Sequence, residues 1–207
     1  MRFEKKYTSH SNIRSNFKVF ISSCNFKKAF ESRIITSIYY ENQNFSSFLD
    51  SEEGNKDRHK LRIRFYNQNF LQAFIEKKIK NADLGSKKYF DVNEAIKNNG
   101  SLPITLQKNL LINIPKRIKN TYPILIIEYK RDYYLSKDKN TRITLDSNIT
   151  FRNITNSKKI KLDLNVIEIK YPEQVDFNNM FLDKIIEQFN LNLLRFSKYC
   201  TGIKLFY

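Results

Sequence analysis

The stretch His59–Asn67, HKLRIRFYN, decides how the fold is read. On an extended strand successive side chains leave opposite faces, so Arg62 and Arg64 share one face while Ile63 and Phe65 share the other. A solvated strand face is ordinarily made of Ser, Thr or Lys. Two guanidinium groups side by side repel each other, and their pairing points to something anionic between them.

Period-2 patterning extends from this stretch along most of the chain. RFEKKY (Arg2–Tyr7), SRIITSIYY (Ser32–Tyr40), QAFIEKKIK (Gln72–Lys80) and SKKYF (Ser86–Phe90) alternate in the same way. So do YPILIIEYKRDYY (Tyr122–Tyr134), TRITLDSNITF (Thr141–Phe151) and IKLDLNVIEIKY (Ile160–Tyr171). Together with His59–Asn67 these predict about eight strands. Helical patterns are predicted over Ser11–Ser23, with Ser11 as N-cap, over Ile104–Asn120, interrupted at Pro115, and over Val175–Tyr199, a long C-terminal helix. Asp50–Arg58 reads as an exposed loop.

Strand after strand carries one charged and one apolar face. Arg2, Glu4 and Lys6 share a face, as do Glu76, Lys78 and Lys80, then Tyr129 and Arg131, then Arg142, Thr144 and Asp146, then Glu168 and Lys170. Two architectures fit this pattern. In a flat sheet the charged faces meet solvent, and alternation alone favours that arrangement. In a closed barrel they line the interior. The arginines at Arg62, Arg64, Arg131 and Arg142 weigh towards the barrel, because guanidinium matches phosphate oxygens in a bidentate fork. The few carboxylates among them suit Mg²⁺ or Mn²⁺.

Composition sets the outer bounds. The 207 residues suit one domain, and 37 basic against 21 acidic residues give a net charge of +16. Such an excess implies an anionic partner, although an abundance of Lys, Asn, Ile, Phe and Tyr also follows from AT-rich coding. Cys24 and Cys200 form no metal-ligand spacing and read as reduced thiols of a cytoplasmic protein, and two isolated histidines give little support to a zinc site or a catalytic triad. No apolar run is long enough to span a bilayer. With four glycines and no Gly-rich phosphate loop, side chains must hold any phosphate. No helix carries a DNA-reading motif, so a nucleic-acid partner is not expected.

The segments RFEKKY, SIYYEN, KLRIRFY, FIEKK, YKRDYY, TRITLDSN, VIEIKY and RFSKYCTGI resemble, in order and over essentially the whole chain, the motifs of the vacuolar transporter chaperone (VTC) polyphosphate polymerase domain. That domain belongs to the triphosphate tunnel metalloenzyme superfamily. The resemblance implies a single domain over residues 1–207 of α+β class: an antiparallel β-barrel, or tunnel, with a charged lumen, flanked by helices. It implies metal-dependent transfer of the terminal phosphate of ATP onto a growing polyphosphate chain. Carried over motif by motif, the phosphate- or nucleotide-binding residues would be Lys6, Arg62, Arg64, Lys78, Lys87, Tyr129, Arg131, Arg142, Arg195, Ser197 and Lys198. Of these, Lys198, Arg62, Arg64 and Arg142 would be catalytic, and Glu168 would ligate Mn²⁺ or Mg²⁺.

The chain departs from the family pattern in places. Arg2 stands where the superfamily's first strand has its first glutamate, YYEN replaces Tyr-Phe-Asp-Thr, and Arg195 stands where some members have lysine. The resemblance is to a bacterial stand-alone version, with any membrane coupling supplied by a partner protein. Two other activities remain open: a non-catalytic polyphosphate- or nucleotide-binding regulatory domain, and a triphosphate hydrolase. Structural salt bridges on neighbouring strands are the competing account of Arg62, Arg64, Arg142 and Glu168.

Overall fold

The computed structural model describes residues 2–10, 13–81, 84–107, 110–172 and 179–207. Among these, the chain runs β1 (Arg2–Ser9), α1 (Arg14–Ser23), β2 (Phe26–Glu41), α2 (Ser46–Glu53), β3 (Arg58–Tyr66), β4 (Asn69–Asn81), β5 (Leu84–Asp91) and α3 (Val92–Asn99). It continues through β6 (Ser101–Gln107), β7 (Leu110–Pro115), β8 (Tyr122–Ser136), β9 (Arg142–Asn153), β10 (Lys159–Lys161), β11 (Asn165–Pro172), α4 (Asn179–Phe189), β12 (Asn192–Leu193) and α5 (Lys198–Phe206). The α+β class follows directly from this order.

The chain forms two compact units, the first made of Met1–Ile34, Tyr129–Thr150 and Lys161–Phe196, the second of Ile35–Glu128, Phe151–Ile160 and Ser197–Tyr207. In the first unit the ladder runs β12-β1-β11-β9-β8. Its core gathers Phe17 and Ile21 of α1 with Tyr7, Ile143, Leu145, Ile167 and Ile169 of the strands and Ile185 and Phe189 of α4. These strand positions are the apolar half of the alternation, so the charged half is left on the opposite face.

In the second unit the ladder runs β2-β3-β4-β5, with β6 and β7 forming a separate hairpin. Ile38, Tyr40, Leu61, Ile63, Phe65 and Ile75 bury the other face beside Val92 and Ile114. Between β3 and β4, Asn67 and Gln68 both have positive φ (48° and 60°), which makes a two-residue turn of the type whose twist matches a hairpin. An irregularity between Arg64 and Tyr66 then shifts the ladder, so that Arg64 faces Phe74 and Arg62 faces Glu76.

Several expectations are corrected. There are twelve strands among the described residues rather than about eight. The helix expected over Ile104–Asn120 is replaced by the β6–β7 hairpin, whose register pairs Leu102 with Ile114 and Ile104 with Ile112. The β-branched residues Ile112 and Ile114 alternate with period 2, and Pro115 closes the strand. The N-cap position of α1 is Ile13, without a capping side chain, and Ser11 lies outside the described residues.

The long C-terminal helix is not formed. Its expected start at Val175 lies outside the described residues, α4 ends at Phe189, and Asn190 takes a left-handed conformation (φ 46°) that stops the helix. Ser197 then starts α5 afresh, its hydroxyl accepting from the Cys200 amide at 3.3 Å. The closed barrel is corrected too. The ladder ends at β12 and at β5, and no pairing among the described strands joins those two edges, so the sheet is open. β12 has only two residues and offers no ladder long enough to close a barrel.

Candidate functional site

In the second unit the opening stretch lies in the middle of a four-strand register. Ser37, Arg64, Phe74 and Asp91 form one cross-strand row, Tyr39, Arg62, Glu76 and Tyr89 the next, and Lys60, Lys78 and Lys87 a third. Directly opposed residues on neighbouring strands present their side chains on the same face. Arg62 Nη2 donates to the Glu76 carboxylate and Nη1 to the Tyr39 hydroxyl at 2.9 Å. Arg64, buried, donates from Nε to Ser37 Oγ at 3.0 Å. Burial of Tyr39 acts to raise its phenol, but the positive charges of Arg62, Arg64 and Lys60 outweigh it and hold the phenol below its usual range. Of the three cations, Arg62 is hydrogen-bonded to the hydroxyl.

Lys60 is a residue that the sequence reading missed. Its Nζ lies 3.2 Å from Ser197 Oγ and 3.7 Å from Cys200 Sγ, and 4.7 Å from the centroid of the Tyr199 ring. It thereby joins the basic strand face to the start of α5, where Ser197 is the N-cap and Lys198 the first helical residue. Tyr199 fixes that helix: its hydroxyl donates to the buried Glu41 carboxylate, and its ring lies 5.0 Å from that of Tyr39. Burial, with Glu41 beside it, pushes the Tyr199 phenol far up. The signal for Lys60 was present in HKLRIRFYN, since it has the parity of Arg62 and Arg64.

The first unit holds a second charged cluster. Lys6, Glu168 and Thr144 form one row across β1, β11 and β9, and Glu4, Lys170 and Arg142 the next. Lys6 pairs with Glu4 at 3.0 Å, Lys170 with Glu4 at 3.2 Å and with Glu168 at 2.8 Å. Burial acts to raise the Glu4 carboxyl, yet Lys6 and Lys170 hold it down at about 2. Burial likewise lowers Lys170, and Glu168 and Glu4 more than offset it, leaving the ammonium above its usual value. Arg131 donates from Nη2 to the buried Asp146 at 2.7 Å and lies 5.3 Å from the Tyr129 ring centroid. Burial disfavours its charge, but Asp146 overcomes that and raises the guanidinium well above the ordinary range.

The two clusters account for the expected site residues as follows. Arg62, Arg64, Lys78, Lys87, Ser197 and Lys198 belong to the second unit, and Lys6, Tyr129, Arg131, Arg142 and Glu168 to the first. Arg195 is exposed between β12 and α5. Arg62 and Arg131 each have an acid of the protein as partner, as the salt-bridge account expects for Arg62. Among the described residues no group of three or more His, Cys, Asp or Glu could by itself hold a metal ion. A hard divalent cation is usually held by only one or two carboxylates and by substrate phosphates, so this does not count against Mg²⁺ or Mn²⁺. Glu168 fits such a site. Directly across from it, the buried Thr144 Oγ1 has no hydrogen-bond partner within the protein, which puts a second hard oxygen in the same row. No helix among the described residues is long and apolar enough to cross a membrane.

An antiparallel α+β fold with charged rows on its strands is the class defined so far. The family model for the VTC domain matches residues 1–207, and the chain belongs to that family. Solved structures of the triphosphate tunnel type share the fold. A candidate adenylate cyclase from Vibrio parahaemolyticus is 12% identical with a TM-score of 0.53, covering 97% of this chain and 98% of its own. A candidate adenylyl cyclase from Hippeastrum with a dominant triphosphatase activity is 11% identical with a TM-score of 0.55, covering 99% and 96%. One from Bacillus halodurans is 14% identical with a TM-score of 0.54, covering 100% and 97%. No curated protein is a significant match to the sequence.

Proposed function

We propose that this protein is a metal-dependent polyphosphate polymerase that transfers the terminal phosphate of ATP to a growing polyphosphate chain. Family membership supports the coarser statement, a domain that binds polyphosphate or triphosphate. The observation that carries the reading is the registered basic face of β3, β4 and β5, where Lys60, Lys78 and Lys87 lie side by side next to Arg62 and Arg64. Three lysines opposed in one row concentrate positive charge along a line, which suits a polyanion laid across the strands.

Phosphoryl transfer asks the protein for in-line positioning and for neutralisation of charge, not for a covalent nucleophile. In this reading Arg64, Lys60, Lys78 and Lys87 hold phosphate oxygens. Glu76 and Tyr39 fix the Arg62 guanidinium, so that its orientation is set before substrate arrives. Ser197 and Lys198 offer a hydroxyl and an ammonium at the start of α5, where the helix dipole favours negative charge. In the first unit Lys6, Arg131 and Arg142 are the matching phosphate groups. Glu168, with Thr144 beside it, would hold Mn²⁺ or Mg²⁺, which when bound neutralises phosphate charge.

A second reading is hydrolysis of the same bond with water as acceptor, favoured by the triphosphatase activity of the Hippeastrum neighbour. One experiment tests both. The protein is incubated with ATP and Mn²⁺ and the products are resolved by size. Long polyphosphate with ADP is expected. Free phosphate alone would replace the polymerase by a hydrolase, and unchanged ATP at high enzyme would leave only binding.

A further inference from the structure

The rows described above include two aromatic residues that phosphate chemistry does not use, Phe74 and Tyr89. Tyr89 stands on the exposed strand β5, opposite Glu76 and two residues from Lys87. It is 58% exposed on a charged face. The ring is not loose, because it meets Phe74 edge-on at 5.4 Å between centroids, and Phe74 in turn lies 6.2 Å from Tyr66. Three aromatic rings thus touch in sequence within and beside the arginine rows, with Tyr89 presenting area to solvent.

We infer that Tyr89 is a base-stacking platform that makes the site prefer a nucleoside triphosphate to inorganic triphosphate. The inference rests on the triphosphate-binding reading of this face. Residues two apart on one strand are roughly 7 Å apart, so a base laid on Tyr89 places its first phosphate near Lys87. From Lys87 the row continues to Lys78 and Lys60 in two strand steps of about 4.8 Å each. A triphosphate tail laid across the strands is shorter than that row, and the flexible lysine stems reach inward to it. Every nucleobase has a π face, so the platform selects for the presence of a base and not for its identity. The edge contact with Phe74 restrains the ring, which lowers the entropy lost when a base is stacked on it.

The test compares two ligands on three proteins. Binding of ATP and of tripolyphosphate is measured by calorimetry for the wild type, Tyr89→Ala and Tyr89→Phe. Tyr89 is exposed, so folding is not at stake, and a thermal melt of each protein checks this. Expected is about tenfold weaker ATP binding in Tyr89→Ala, the loss of one stacked base, with tripolyphosphate binding unchanged and ATP binding restored in Tyr89→Phe. Equal loss for both ligands, or loss for neither, overturns the inference while leaving the phosphate site standing. If the wild type binds neither ligand, the phosphate-binding reading itself falls.

Discussion

The Arg62 guanidinium and the Glu76 carboxylate face each other across β3 and β4 and are hydrogen-bonded, with Glu76 almost wholly buried. Arg62 of HKLRIRFYN therefore has a neutralising partner within the protein. Arg64 donates to the Ser37 hydroxyl.

This relationship makes Glu76 a sensitive position, because it is the buried partner of a partly buried cation. Glu76→Gln removes the charge and leaves Arg62 among Arg64, Lys60 and the Tyr39 hydroxyl. Breaking a buried pair on one side costs about 3–5 kcal/mol, and a fall of that size in unfolding free energy is expected from denaturant titration. Added tripolyphosphate should recover part of the loss, so its stabilising effect is larger in Glu76→Gln than in the wild type. An equal ligand shift in both proteins would mean that no anion approaches Arg62.

Glu168 pairs with Lys170 on its own strand and lies across from an unsatisfied hydroxyl. Glu168→Gln keeps its size and removes its charge. Manganese affinity in the presence of tripolyphosphate should fall at least about tenfold, since losing even a supporting group of a metal ligand costs that much, while the far-ultraviolet circular dichroism is unchanged. Manganese titration followed by electron paramagnetic resonance reads this directly, and unaltered affinity would remove Glu168 from the metal site.

The acid limb of stability should carry the signature of Glu4. Its carboxyl is held down to about 2 in the folded protein against an ordinary value of 4.5. A depressed carboxyl stabilises the fold fully above its unfolded value, and this contribution is lost as pH falls from about 4.5 towards about 2. Glu4 is partly exposed, so solvent screening makes the effect modest. In Glu4→Gln the melting temperature should fall less steeply over that window than in the wild type. Parallel curves would show that Lys6 and Lys170 do not hold the carboxylate.

Gly202 in α5 is a packing constraint. A Cβ at that position would lie 2.5 Å from Leu125 Cδ2 and 2.7 Å from Phe151 Cδ1, and both side chains are fully buried. Overpacking of this kind costs about 1–3 kcal/mol. Gly202→Ala should therefore lower the urea midpoint without changing the slope of the transition. Because α5 carries Ser197 and Lys198 at its start, weaker tripolyphosphate binding should accompany the loss.

What the sequence determined is the faces. Period-2 alternation alone assigned Ile63 and Phe65 to the buried side and Arg62 and Arg64 to the other, because strand geometry fixes parity regardless of what the strand pairs with. The order of weak motifs added the family. The sequence did not determine how long each element runs. FNLNLLRFSKY has helical spacing throughout, yet Asn190 in a left-handed conformation and the Ser197 cap divide it, local choices that periodicity does not register. ITLQKNLLINIP reads as helix by spacing and pairs as a hairpin, because a partner strand outweighs a weak propensity. Only the tertiary structure decided which charges meet. The pairing of Arg62 with Glu76, and the approach of Lys60 to Ser197 over 137 positions, depend on strand register and on where α5 packs. Register is set by burial of the opposite face and by the irregularity between Arg64 and Tyr66, so the partners of a charged side chain become fixed only when the whole sheet has formed.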